Sequence, residues 1–398
     1  MLPSNSRLQR LVLVHFLLEL QFWFPVWLLF LTGRGFDLTT IVLADGVFRF
    51  TIVVFEVPLG ILGDKIGHRR AYLLVALMAF VSYLFIALIV NVPMLFGAWI
   101  LWGIFWAMAS GSTSAYAYEL IVKEGYKDKS LAIFGTLRAT ANFAALLSQL
   151  VAGFMFIFMP ALPFVVSAVL ALVAFALIWT LPEVGDVQDK VDIQHFKFAN
   201  IRKVLNQPQS IRITVVLLAM ALVFYWSPRI LMQPLFIELS LTPMYVSGVY
   251  FFYSLAGILA GLNAERLTRV FNRQRAIFGG IFLIWMGVIL VSLMPGYWSL
   301  MWFPLLGFGY FLSSTVLEVD LHHQVGSRNR ATMLSAVSFV AGIVIMFARP
   351  ALGVIADRFD AQNAFGAWAI IGIGVLILFY SLQSRTVSAE AAAAHDEA

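Results

Sequence analysis

The chain has 398 residues, of which 61% are hydrophobic and only 12% are charged. Soluble domains carry about a quarter charged residues, so this composition excludes an ordinary water-soluble protein and predicts one that is dissolved in lipid. The formal net charge of +5 comes from basic residues in short loops between apolar runs, and the chain has no cysteine. Disulfides, thiolate metal sites and cysteine nucleophiles are therefore excluded, and the charge pattern disfavours nucleic acid as a partner.

Apolar runs divide the chain into predicted membrane-spanning helices. About 20 residues, each rising about 1.5 Å, cross a hydrocarbon core of roughly 30 Å. This criterion predicts an all-α membrane protein with twelve spans, which we number one to twelve in chain order. They are 11–32, 39–63, 71–91, 93–118, 131–158, 161–181, 213–239, 244–264, 276–294, 297–319, 331–355 and 363–383.

Lys and Arg are distributed unequally between the loops. If the N-terminus is cytoplasmic, nearly all basic residues outside the spans fall in cytoplasmic segments, and the opposite loops hold only Arg34 and Arg358. Cytoplasmic loops of membrane proteins are enriched in Lys and Arg. The pattern predicts an integral, multi-pass protein of the plasma membrane (a cell inner membrane) with both termini cytoplasmic.

Similar segments recur at one offset along the chain. Gly60 to Lys65 ends span two as Gly261 to Arg266 ends span eight, and the same offset relates Tyr118-Glu119-Leu120 to Val319-Asp320-Leu321. Such a repeat predicts two related six-helix bundles. The predicted boundaries are 1–181 for the N-terminal bundle, 182–212 for a cytoplasmic linker, 213–383 for the C-terminal bundle and 384–398 for a cytoplasmic tail.

Residues 60–70 read Gly-Ile-Leu-Gly-Asp-Lys-Ile-Gly-His-Arg-Arg. This segment resembles the signature loop of the major facilitator superfamily, and Phe55-Glu56-Val57-Pro58 before it resembles a lead-in found in many prokaryotic members. His68 stands where a basic residue is common in the family. The resemblance covers the whole chain in helix number, linker and repeat. It implies two pseudo-symmetric six-helix bundles and secondary active transport.

The resemblance also implies a gating loop that latches the two halves together on the cytoplasmic side. Asp64 is expected to face the positive N-terminal end of span eleven near Asn329 and Arg330, and Arg69 or Arg70 is expected to reach Glu119. The implied latch residues are Gly60, Asp64, Gly67, Arg69, Arg70 and Glu119. The alternative is that the basic residues only anchor the inner face.

Ionisable residues within the spans are costly in lipid and are therefore candidate functional groups. Asp45, Arg49 and Glu56 share one face of span two, where Asp45 and Arg49 can pair. Glu19 and Arg138 lie at a depth similar to that of Glu56. We predict that Glu19, Glu56 and Arg138 form a cluster that gains and loses a proton, and the alternative is a static ion pair.

Spans one, four, seven and ten line the central cavity in the family that the chain resembles. The candidate substrate-binding residues there are Gln21, Trp23, Trp102, Trp106, Tyr116, Tyr225, Trp226, Arg229 and Trp302. Aromatic rings hold flat apolar molecules and cations, which favours an amphipathic organic substrate, although helix packing alone could also explain them. Glu238 and Arg349 are predicted to pair at the outer rim as an outer gate.

These features favour a transporter and disfavour an enzyme, because no catalytic constellation and no P-loop is present. We predict a monomeric antiporter that performs proton-coupled efflux of amphipathic organic compounds, with no cofactor, no metal and no nucleic acid partner. Trp99 occupies the place of an Arg found in many proton-coupled members, so coupling by that Arg is not predicted. The alternatives are uptake or facilitated passage of a small organic solute, and a non-transporting receptor or scaffold.

Overall fold

The computed structural model describes residues 5–184, 204, 206–325 and 327–375, and this part of the chain is helical without strands. Ten of its helices are long and apolar enough to cross a membrane, and they correspond to predicted spans two to eleven. Span one consists of two shorter helices, and span twelve is described as Ala361–Val375. The predicted all-α membrane fold is confirmed, and the helices are consistent with twelve spans. Most of the predicted linker and the whole predicted tail lie outside the described residues.

The N-terminal half contains spans one to six. Span one comprises Ser6–Glu19 and Trp27–Gly33, and spans two to six are Leu38–Ile66, His68–Ala87, Val92–Lys123, Ser130–Phe158 and Leu162–Trp179. Asparagine and aspartate side chains cap several of these helices. The Asp37 side chain accepts from Thr40 N at 2.8 Å, and that of Asn91 accepts from Met94 N at 3.0 Å. Such caps satisfy backbone donors that the first helical turn leaves unpaired, which fixes where these spans begin.

The C-terminal half contains spans seven to twelve. Span seven comprises Gln209–Trp226, a 3₁₀ turn at Pro228–Leu231, and Met232–Glu238. Spans eight to eleven are Pro243–Phe271, Arg273–Leu293, Phe303–Gln324 with the preceding turn Gly296–Trp302, and Ser327–Arg358. Span seven therefore begins inside the predicted linker 182–212.

Span one is interrupted between Glu19 and Trp27, in a segment that contains Pro25. Backbone groups at membrane depth need hydrogen-bond partners within the protein. Ser167 of span six supplies them, since its Oγ accepts from Phe22 N at 3.0 Å and donates to Leu20 O at 3.2 Å. The break is thus stabilised by a neighbouring helix.

Span seven is interrupted in the same way at Pro228. In the 3₁₀ turn Ile230 N bonds to Ser227 O, so the carbonyl of Trp226 loses the donor that a continuous α-helix would supply. Arg349 of span eleven replaces that donor, with Nε and Nη2 at 3.2 and 3.1 Å from Trp226 O. The two halves therefore carry interrupted helices at corresponding places.

The halves contact each other through spans two and eleven and through spans five and eight. At the end of span five, a Cβ on Gly153 would lie 2.5 Å from the carbonyl oxygen of Pro243, so only glycine allows this approach. A Cβ on Gly46 would lie 3.3 Å from Pro350. These contacts lie towards the ends of the spans that face away from the Lys- and Arg-rich loops. We call the side with those loops the basic face, and the halves meet closely on the opposite side.

Candidate functional site

A cavity of about 310 Å³ lies between the two halves. The N-terminal half contributes Glu19, Gln21, Phe24, Trp106, Arg138, Asn142, Ala145, Ser148 and Gln149 to its wall. The C-terminal half contributes Tyr225, Trp226, Arg229, Ser254, Ile258, Tyr310, Phe311, Ser314 and Glu318. Cavities that bind small organic molecules are about 300–1,000 Å³ and mostly apolar with a few polar groups, as here.

The two interrupted spans supply six of these residues. Glu19, Gln21 and Phe24 lie at or beside the break in span one, and Tyr225, Trp226 and Arg229 lie at or beside the break in span seven. Irregular backbone at membrane depth is tolerated where it is buried in protein or lines a cavity. The breaks therefore direct polar backbone and side chains into the space between the halves.

Arg229 is enclosed by aromatic rings. Its guanidinium carbon lies 4.8 Å from the ring centre of Phe24, 4.7 Å from that of Trp226, 5.4 Å from that of Tyr253 and 6.0 Å from that of Tyr250. These distances are typical of cation–π contacts. Rings from both halves thus surround one positive charge on the cavity wall.

Ring contacts alone do not offset the free-energy cost of burying the positive charge of Arg229. A cation–π contact stabilises by about 0.5–2 kcal/mol, whereas the transfer of an ion out of water costs several kcal/mol. Within the described part of the chain no carboxylate pairs with Arg229, and its buried Nε has no hydrogen-bond partner. The cavity wall therefore carries a cation that has no carboxylate partner among the described residues.

Stacked tyrosines lie next to this cation. The rings of Tyr225 and Tyr310 are 3.9 Å apart with an interplanar angle of 12°, and Tyr225 also stacks on Tyr253 at 5.7 Å. Tyr225 and Tyr310 line the cavity. Their stack offers planar apolar contact area.

Glu19 and Arg138 face the same cavity, but the predicted cluster with Glu56 does not form. The nearest carboxylate to Arg138 is that of Glu318, at 3.8 Å, and Glu318 comes from span ten of the other half. The Arg138 side chain is 65% exposed and lines the cavity, so other protein groups do not enclose it. Glu56 is not part of the cavity wall. The sequence analysis missed Glu318, although it directly precedes the repeated Val319-Asp320-Leu321.

A smaller cavity of about 210 Å³ adjoins the first one inside the N-terminal half. It shares Glu19, Gln21 and Trp106 with the larger cavity and is also lined by His15, one helical turn from Glu19 towards the N-terminus. Ser110, Thr113 and Ser114 of span four complete its polar wall. Glu19 therefore borders both spaces.

On the side opposite the basic face, a buried ion pair joins the halves. Arg349 Nη1 lies 2.7 Å from Asp45 Oδ2, and both side chains are less than a tenth exposed. The predicted outer gate between Glu238 and Arg349 is therefore wrong, because Glu238 instead accepts from Ala361 N at 2.8 Å. Asp45 was also predicted to pair with Arg49 of the same helix. Its ion pair is instead with Arg349 of span eleven.

Further polar contacts close this side. Gln233 of span seven accepts from Leu28 N of span one at 2.8 Å and donates to Tyr250 Oη at 3.2 Å. Thr39 of span two donates to Asp357 of span eleven. Arg49 packs against the Phe48 ring at 5.1 Å and interacts electrostatically with Asp45. We call the Asp45–Arg349 pair and the Gln233 contacts the outer seal.

On the basic face, His68 occupies the centre of the signature loop. Its Nδ1 lies 2.6 Å from Glu119, and its Nε2 lies 3.3 Å from Asp64, so the ring lies between the two carboxylates and connects span two to span four. The expectation that Arg69 or Arg70 reaches Glu119 is therefore corrected. Both arginines instead approach Glu183, at 2.9 Å and 3.9 Å, since that carboxylate follows span six beside the start of span three.

The remaining latch residues lie around this contact. Gly60 is in the last turns of Leu38–Ile66, and Gly67 turns the chain into span three with a φ of +91°, which favours glycine. The side chains of Asn329 and Arg330, the expected partners of Asp64, lie outside the described part of the structure, so the latch stays a prediction. Beyond the spans, hydrogen bonds from Arg7 and Asn5 hold the pKa of Glu124 below its usual value.

Four of the predicted cavity aromatics lie elsewhere. Trp23 and Trp102 are buried within the N-terminal half, 4.9 Å apart in an edge-to-face contact, and Trp102 stacks on Phe48 at 4.2 Å. Tyr116 is buried and donates to Pro182 O at 3.0 Å. Trp302 ends the turn before span ten and does not line the cavity. Gln21, Trp106, Tyr225, Trp226 and Arg229 do line it.

Comparison with known proteins supplies independent information on this architecture. A family model described as Major Facilitator Superfamily matches residues 11–345. No curated protein matches the sequence significantly. Among solved structures, a mutant of the nucleoside transporter NupG has a TM-score of 0.77 at 12% identity, and the match covers 94% of this chain and 99% of that one.

Two other solved structures share the fold. A bacterial homologue of the human lysosomal transporter Spinster, in an inward-facing and unoccupied conformation, has a TM-score of 0.69 at 15% identity, covering 90% of this chain and 84% of that one. The human organic anion transporter MFSD10 (TETRAN) has a TM-score of 0.63 at 14% identity, covering 95% and 99%. At these identities the similarity shows a common fold.

Proposed function

The chain belongs to the Major Facilitator Superfamily, and on that premise we propose that it moves amphipathic organic compounds across the membrane by alternating access, coupled to protons. It is an integral, multi-pass membrane protein. The observation that carries the proposal is the cavity itself, which is bounded by interrupted helices of both halves and has the exposed Arg138 towards the basic face and the outer seal on the opposite side. Transporters place their binding sites between the repeats, beside such interrupted helices.

Proton coupling is assigned to Glu19. Its carboxylate borders both cavities and makes no ion pair among the described residues, whereas Arg138 lies near Glu318. A carboxylate at membrane depth without a counter-charge is a candidate proton carrier. In this proposal Glu19 exchanges its proton with the side to which the cavity is open.

Two directions are compatible with this coupling. Efflux in exchange for protons requires that the solute binds when Glu19 is deprotonated. Uptake together with protons requires that both bind at once. We propose efflux as the primary direction. We also propose a plasma membrane location with cytoplasmic termini, and the distribution of Lys and Arg supports this orientation. Similar structures are named as transporters of nucleosides and of organic anions, so this fold accommodates organic solutes.

Reconstituted protein provides the test. Liposomes enclose a pH-sensitive dye and receive 2-naphthalenesulfonate, 2-naphthalenesulfonamide or 2-naphthyltrimethylammonium, which share a ring system but differ in charge. We expect at least one probe to cross faster than in protein-free liposomes and to change the internal pH. Glu19→Gln should abolish the pH change, because the amide cannot exchange a proton.

Asp128→Asn provides the matched control, because Asp128 is an exposed carboxylate in a basic loop. This variant should retain the proton movement. Opposite movement of solute and protons supports efflux, and movement in the same direction shows uptake. If none of the probes crosses faster than through bare lipid, the proposed transport is wrong.

A further inference from the structure

Arg229 differs from the other arginines within or beside the spans, apart from Arg49, which also has an unpaired Nε but is not part of the cavity wall and interacts electrostatically with Asp45. Arg349 is paired with Asp45, Arg138 lies near Glu318, and the guanidinium of Arg34 donates to two backbone carbonyls. Arg229 contacts ring faces and no described carboxylate. The structure thus places one cation on the cavity wall without a protein anion to neutralise it.

The geometry of the cage determines what this cation can bind. Aromatic rings cover the flat faces of the guanidinium, and its N–H donors lie at the edge of the plane. The edge of a guanidinium matches the two oxygens of a carboxylate, or two oxygens of a sulfonate or phosphate. A neutral or cationic group would leave the positive charge uncompensated.

The surroundings of Arg229 specify the rest of the molecule. The rings of Tyr225 and Tyr310 stack face to face 3.9 Å apart and form an aromatic part of the same cavity wall, and Trp226 contributes both to the wall and to the cage. An anionic group on Arg229 would leave an attached ring beside these aromatic side chains, where it can make edge-to-face or offset contacts.

We propose that the transported solute is an organic anion with a flat apolar ring, whose charged group binds Arg229 and whose ring packs against Tyr225 and Tyr310. This inference rests on the proposed transport function and names its substrate class. The volume of about 310 Å³ accommodates a molecule of two fused rings with one charged substituent.

The test compares two probes that differ only in charge. 2-Naphthalenesulfonate should bind the detergent-solubilised protein on the order of tenfold more tightly than 2-naphthalenesulfonamide, because only the former supplies a charge-assisted contact. Arg229→Gln should remove this preference. Arg229→Lys should retain part of it, since the charge remains but the planar donor edge is lost. Arg358→Gln, an exposed arginine at the end of span eleven, should leave the preference unchanged.

Binding is measured by calorimetry, and the melting temperature of each variant shows that it is folded. If Arg229→Gln fails to fold, the comparison of wild type with Arg229→Lys decides. Equal affinity of both probes for the wild type, or an undiminished preference in the Arg229 variants, would overturn the assignment of an anion. The transport proposal would survive that result if the neutral or cationic probe still crosses. Failure of the transport proposal would be seen separately, because none of the three probes would then be transported.

Discussion

At the scale of single residues, the pair of Asp45 and Arg349 is the most buried ion pair in the described part of the chain. The pair joins the two halves at 2.7 Å, and both side chains are nearly inaccessible. Removal of one member of such a pair leaves an uncompensated charge and is far more harmful than removal of both.

Asp45→Asn should destabilise the protein by about 3–5 kcal/mol, because Arg349 would lose its anion while remaining buried. The double variant Asp45→Asn/Arg349→Gln should recover part of this loss, although the carbonyl of Trp226 then loses its donor. Thermal unfolding in detergent measures both effects. Equal stability of Asp45→Asn and the wild type would show that the pair contributes nothing.

Residue types and depths were predictable from sequence, but partners were not. Arg229, Trp106 and Gln21 lie on the cavity wall as predicted, because their spans and approximate depths follow from apolar run lengths. The partner of Arg349 was assigned to Glu238 because both lie near one rim. Arg349 faces Asp45 because of the way in which span eleven is rotated about its own axis relative to span two. A uniformly apolar sequence does not specify that rotation.

At the scale of helices, the interruptions in spans one and seven determine the cavity. Each exposes backbone groups that a neighbouring helix must satisfy, through Ser167 for span one and Arg349 for span seven. Pro25 and Pro228 signalled these places in the sequence, whereas the partners come from helices far along the chain.

Ser167→Ala should destabilise the protein by about 1–3 kcal/mol, because Phe22 N and Leu20 O would both lose a buried partner. Ser82→Ala is the matched control: Ser82 is equally buried, but its hydroxyl has no hydrogen-bond partner among the described residues. The control should be neutral or slightly stabilising. Similar melting temperatures for the two variants would contradict a role of Ser167 in the break.

The helices themselves were predictable because lipid requires about 20 apolar residues per crossing. Spans two to eleven follow this rule, and their polar caps and loops mark the ends. The division of span one into helices of 14 and 7 residues has no equally strong signal, because a proline in a membrane helix can also produce only a kink.

At the scale of the whole molecule, the structure shows one side open and the other closed. The solvent-exposed Arg138 lies on the open side, and the outer seal lies on the closed side. The sequence contains the repeat of two similar halves, which could leave either side of the molecule open. It does not specify which side is open, because both arrangements use the same helices.

The absence of native cysteine allows a direct test of this arrangement. Ser254→Cys, on the cavity wall, should react with a membrane-impermeant maleimide faster from the cytoplasmic side than from the other side. Ser227→Cys, which is fully buried beside the break in span seven, should react slowly from both sides. Faster labelling of Ser254→Cys from the non-cytoplasmic side would contradict either the orientation or the open side.

Arg349 makes two contacts at once, to the carboxylate of Asp45 in one half and to the carbonyl of Trp226 on the cavity wall in the other. When the halves separate on that side, Asp45 moves away, and the same guanidinium can no longer hold both groups. If the halves alternate as proposed, we expect the position of Trp226 to be coupled to their separation. Coupling of this kind is reciprocal. A solute that binds more tightly to one position of Trp226 shifts the free energy of opening, and opening shifts the binding free energy of that solute by the same amount.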